Sequence, residues 1–137
     1  MKQTFDTDSI LYDILYQSPV KNAISGDIYV GDDRPNDSQD EDIVVNSIDL
    51  TQDYLPQIGT SNVNIYVSDK NFKIGNKQQL KSNRVRLKAL SEKTMEALKN
   101  AKVPGLMFTT ESQTILAEPS VKQHYVNIRI SWNIQTD

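Results

Sequence analysis

At 137 residues and a formal charge of −3, the chain suits one domain with its own core, and needs no cross-link to fold. It has no cysteine and a single histidine, His124, which excludes disulfide scaffolds, thiol nucleophiles, cysteine-bound zinc and metal sites built on a histidine pair. No run approaches the ~18 apolar residues of a membrane helix, and the first residues lack the basic-then-apolar layout of a signal peptide, so the expectation is a soluble protein made in the cytoplasm, with no membrane partner.

In chain order, Asp8 reads as the cap of a first helix whose stripe is Ile10, Leu11, Ile14 and Leu15. Ser18-Pro19 interrupts it, Val20 and Ile24 continue the stripe for a further turn, and Gly26 ends it. Residues 28–30 form a short strand. Residues 31–42 contain Gly31, Pro35 and six acidic side chains and read as a polar loop, one that assembly with a partner would order. Residues 43–50 are a strand rich in β-branched residues, and 51–61 a connection with Pro56 and Gly59. Strict alternation over 62–67 puts Val63, Ile65 and Val67 on one face and Asn62, Asn64 and Tyr66 on the other. Residues 68–81 read as a lysine-rich connection.

Ser82 or Asn83 caps the main helix, which runs to about Asn100 with Leu87, Leu90, Thr94, Ala97, Leu98 and Ala101 on one side. Pro104-Gly105 stops it. Residues 106–116 form the fourth strand, and Glu118-Pro119-Ser120 turns the chain. In the last strand Val126, Ile128, Ile130, Trp132 and Ile134 alternate with polar residues, the mark of a strand with one face on a core. Together these elements predict a single α+β domain over residues 1–137: a mostly antiparallel five-stranded sheet with two helices packed on it.

The charge is unevenly spread. Residues 1–69 hold 3 basic and 13 acidic side chains, residues 70–102 hold 10 basic and 2 acidic, and the remainder is near neutral. Blocks this distinct meet within the fold, form complementary outer faces, or are solvated charge that serves solubility without a partner; the second arrangement suits head-to-tail contact between identical subunits.

Catalytic patterns fail on residue type or spacing. His124 has no Gly-x-Ser-x-Gly nucleophile elbow to serve. The acidic loop lacks the sixth-position glycine and closing glutamate of a calcium loop. The glycines stand alone, so no phosphate-cradling loop exists. These observations predict a non-enzymatic protein without cofactor or metal. Arg84, Arg86, Lys88 and Lys93 would lie on or near one helix, as a nucleic-acid-binding accessory domain would place them. Phe72 is the only aromatic residue among the basic ones and the chain is acidic overall, which favours a solvated helix face over direct nucleic-acid contact.

Several stretches carry a resemblance: Gly26-Asp27-Ile28-Tyr29-Val30, Arg34-Pro35, Glu41-Asp42-Ile43-Val44-Val45-Asn46 and Asn62-Val63-Asn64-Ile65-Tyr66-Val67. With the helix of 83–100 and the closing strand of 122–135, the chain resembles the tail completion (tail terminator or head–tail joining) proteins of tailed bacteriophages and prophages. The resemblance implies a small α+β subunit without catalytic residues. It also implies a homo-oligomeric ring, commonly of six copies, that sits in the virion at the head–tail junction or tail end and touches portal, neck or tail-tube proteins. A neck or tail ring/adaptor protein of a short-tailed phage is the alternative setting. The candidate subunit contacts are Asp32, Asp33, Arg34, Asp37, Asp40 and Glu41 of the acidic loop, Arg84 and Lys88 of the basic stretch, and Tyr125 and Arg129 on the outer face of the last strand.

Overall fold

A computed structural model describes residues 1–136. Their elements are α1 (Thr4–Tyr16), the short α2 (Val20–Ala23), β1 (Ile28–Val30), β2 (Ile43–Leu50), β3 (Gln57–Ser68), β4 (Lys70–Ile74), β5 (Lys77–Lys81), α3 (Arg84–Asn100), β6 (Leu106–Glu118) and β7 (Gln123–Ile134), with a 3-10 turn at Pro119–Val121. Five strands form one sheet in the order β1-β2-β3-β7-β6, and β4 and β5 form a separate two-stranded hairpin. The protein is α+β as expected. Its main sheet is mixed rather than purely antiparallel, because β1 and β2 run parallel. A parallel pair needs a crossover of about a dozen residues, and the loop 31–42 supplies it without a helix.

The helices cover one face of this sheet. Leu11, Leu15 and Val20 together with Leu87, Leu90 and Leu98 close over Ile43, Val45, Val63, Ile65, Ile128, Ile130 and Trp132, all buried. The alternation that predicts β7 is matched residue by residue: Val126, Ile128, Ile130, Trp132 and Ile134 all face inward. Among the described residues no helix covers the other face, where Asn64 pairs in register with Asn127 and Asn62 with Arg129.

Three elements depart from the sequence-based expectation. First, α1 begins at Thr4, not after Asp8; Asp6 accepts a hydrogen bond from the Gln3 N–H at 2.7 Å across its first turn. Asp8 lies inside the helix, buried against β2, where it accepts the Ser47 N–H at 2.6 Å. The β2–β3 register shifts between Ser47 and Asp49, and a carboxylate from α1 satisfies a backbone donor at that irregularity.

Second, β3 begins at Gln57, five residues earlier than its apolar alternation predicts. Its inward positions there are Gln57, Gly59 and Ser61, all buried yet not apolar. Gln57 is satisfied by the backbone of Lys2 and Thr51. Ser61 belongs to a hydroxyl chain that runs from Thr7 of α1 through Ser47 and Ser61 to the Trp132 indole N–H, with steps of 2.6, 2.7 and 2.8 Å.

Third, the expected connection 68–81 contains the β4–β5 hairpin. Gly75 and Asn76 both have positive φ, at 56° and 65°, as a two-residue type I′ turn requires.

Candidate interaction surface

Arg34 is the centre of the loop 31–42, and it points inward. Its Nε donates to Asp42 at 2.8 Å, and its Nη2 donates to the Gln123 side chain at 2.6 Å. The guanidinium lies 3.9 Å from the centroid of the Tyr66 ring, which in turn stacks on Tyr125 with centroids 4.8 Å apart. Burial beneath this loop pushes the Tyr66 hydroxyl pKa up, with Tyr125 adding to the shift and Arg34 opposing it. Asp42 is 1 % exposed and also accepts from the Ser38 hydroxyl and the Asp27 N–H. Arg34 is therefore not available as an outward subunit contact. A buried guanidinium must be paired, and its partners lie in its own chain.

Glu41 behaves in the same way. It accepts two hydrogen bonds from Arg86 of α3, at 2.6 and 2.9 Å, while the same guanidinium donates to the Ala23 carbonyl. The Arg86 hydrogen bond holds the Glu41 carboxyl below the usual carboxylate range against a smaller opposing effect of burial, and Glu41 in return raises Arg86. Acidic loop and basic stretch thus meet inside the subunit through this pair.

Asp32, Asp33, Asp37 and Asp40 stay exposed, and among the described residues none of them has an ion-pair partner. Arg84 is exposed, and Lys88 makes only a surface contact of 3.7 Å with Glu92 one turn on. Tyr125 is half-buried in the ring stack, and Arg129 is exposed on the open sheet face.

The hairpin is the surface that the sequence reading missed. It carries Lys70, Lys73, Lys77 and Lys81 and no acidic residue. Phe72, Ile74 and Leu80 are all exposed on it. The signal available in advance was the Gly75-Asn76 dipeptide between two five-residue segments of mixed lysine and apolar character. Between the hairpin and the start of α3 lies a cleft of about 600 Å³, walled by Lys70, Phe72, Arg84, Val85 and Ala89. Val85 is 83 % exposed, an unusual place for a β-branched apolar side chain.

The other open feature is β6. It forms an edge of the sheet, and from Glu111 to Ala117 every side chain is exposed. Apart from Glu111 these residues are uncharged, so the edge carries few of the charges that normally block pairing with another strand.

His124 is the second residue of β7. Its Nδ1 lies 2.6 Å from an Asp69 carboxylate oxygen. Among the described residues no hydroxyl hydrogen-bonds to its other ring nitrogen, so the pair lacks the nucleophile of a triad. No three metal-ligating side chains converge among the described residues, and none of their helices is long and apolar enough to cross a membrane.

No protein-family model and no curated protein matches the chain.

Proposed function

We propose that this chain is a non-enzymatic structural subunit that joins head to tail with copies of itself into a ring, in the setting of a phage head–tail junction or tail end. The observation that carries the reading is the charge left over after folding. Arg34–Asp42 and Glu41–Arg86 cancel inside the subunit, and an acidic loop tip and a basic, partly apolar hairpin remain exposed. Two unlike surfaces of this kind support a heterologous contact, which closes a ring when the rotation between copies allows. The open β6 edge adds a second means of joining, since backbone groups on an unpaired edge extend a sheet across subunits. The ring of about six copies, its place in a virion, and portal, neck or tail-tube neighbours rest on the resemblance of the strand and loop motifs.

Light scattering coupled to size exclusion, run over concentration and salt, tests the reading, and electron microscopy of the assembled fraction gives the copy number. A closed oligomer that weakens as salt rises supports it. A monomer under every condition rejects self-assembly.

One observation favours a second reading, a nucleic-acid-binding accessory domain: Lys70 of the four-lysine hairpin shares a cleft with Arg84 of α3. Retention of duplex DNA with a steep salt dependence would support it.

A further inference from the structure

We infer that the cleft between the β4–β5 hairpin and the start of α3 receives the acidic loop tip, residues 32–37, of a second copy of this chain. This rests on the self-assembly reading and names its contact.

The cleft has the chemistry of an acceptor for a carboxylate-bearing loop. No acidic residue occurs between Lys70 and Ser91, so its walls carry no negative charge of their own. Arg86, which also borders it, is taken by Glu41, and the charges left free are those of Lys70 and Arg84. Phe72 and Val85 give it exposed apolar walls. An occupant covering those walls would exclude water from the flanking charges, and Coulomb attraction strengthens as the local dielectric falls.

The loop tip is a matching occupant. Asp32, Asp33 and Asp37 project on either side of Pro35, whose ring is exposed and suits an apolar wall. The tip is already shaped by its own chain: Asp33 N–H bonds to the Val30 carbonyl, Ser38 N–H bonds to the Pro35 carbonyl, and Arg34 anchors the middle from beneath. A preformed loop loses little conformational entropy on docking. Among the described residues these carboxylates have no cationic partner in their own subunit, which leaves them open to a cationic surface on another copy. Tip and cleft are different surfaces, so each subunit gives one and receives one.

The experiment is a charge swap on the full chain. Lys70→Glu with Arg84→Glu is expected to weaken self-association at least about tenfold, as like charges across a contact cost several kcal/mol. Asp33→Lys with Asp37→Lys is expected to do the same, and an equimolar mixture of the two variants to associate again. All four positions are exposed, and the fluorescence of buried Trp132 reports whether each variant has kept its core. Because the native chain has no cysteine, Val85→Cys and Asn36→Cys give a second readout. An interchain disulfide should form in the mixture and not in either variant alone.

If the wild-type protein assembles while charge-reversed variants assemble equally well, the cleft contact is overturned and the ring reading stands. If reversal of Lys70 and Arg84 abolishes DNA retention and leaves assembly intact, the cleft is a phosphate site and the inference fails. A wild-type monomer at every concentration overturns both.

Discussion

Arg34 and Asp42, eight residues apart in one acidic loop, form an ion pair of 2.8 Å with 11 % and 1 % of their side chains exposed. The loop that looks from its composition like free negative charge is thus fastened to the sheet by its own arginine. The pair decides which carboxylates face outward.

Removing one member should therefore be far worse than weakening a surface contact. Asp42→Ala leaves the Arg34 guanidinium buried without its carboxylate, and also frees the Asp27 N–H and the Ser38 hydroxyl. A loss of about 3–5 kcal/mol is expected, read from urea denaturation. Arg34→Lys should not preserve stability, since an ammonium cannot reach Asp42 and Gln123 together with the fork of a guanidinium.

The Glu41–Arg86 pair predicts a pH dependence. Arg86 lowers the Glu41 carboxyl pKa in the folded state, so the unfolded chain takes up that proton more readily. The stabilisation is complete above the ordinary glutamate range and is lost as pH falls through the lowered folded value. Glu41→Gln should cost about 1–2 kcal/mol near neutrality. The gap between variant and wild type should narrow on acidification, which urea midpoints at a series of pH values will measure. A constant gap would contradict the assignment.

Gly59 in β3 predicts a steric effect. A Cβ there would lie 2.4 Å from the Asp49 carbonyl oxygen and 2.9 Å from a Leu50 methyl carbon, at the irregular end of the β2–β3 ladder. Gly59→Ala is expected to destabilise by about 1–3 kcal/mol in thermal or urea melts, through displacement of β2 backbone rather than loss of a bond.

The hydroxyl chain predicts a loss of satisfaction in the core. Ser61→Ala leaves the buried Trp132 indole N–H without an acceptor and the Ser47 hydroxyl without one of its partners. About 1–3 kcal/mol should be lost, with a change in Trp132 emission as its hydrogen bond disappears.

The open edge predicts a difference between free and assembled protein. Outward-facing amides of β6 should exchange quickly in the isolated subunit. If sheets join across subunits, hydrogen exchange should slow over residues 111–117 in the assembled fraction and stay fast otherwise.

The regular elements were legible in the sequence wherever burial is one-sided and apolar. β2 runs over the residues its β-branched content indicates, α3 starts after an Asn83 side chain that accepts the Arg86 N–H, and β7 alternates along its whole inward row. Periodicity reports burial only through hydrophobicity, so the start of β3 was hidden, where the inward residues are Gln57, Gly59 and Ser61. The hairpin was hidden for the opposite reason, since it buries almost nothing and leaves no apolar pattern to read.

Charge divides in the same way. By itself the sequence determined that an acidic segment precedes a basic one, because that is a count along the chain. Only the tertiary structure decided which of those charges are spent. Glu41 meets Arg86 from 45 positions away, and Arg34 reaches Gln123 from 89. Pairs so distant arise from how the sheet and α3 bring the chain together, and no local pattern encodes them. What they leave exposed, the loop tip and the lysine hairpin, is the surface that a second copy would meet.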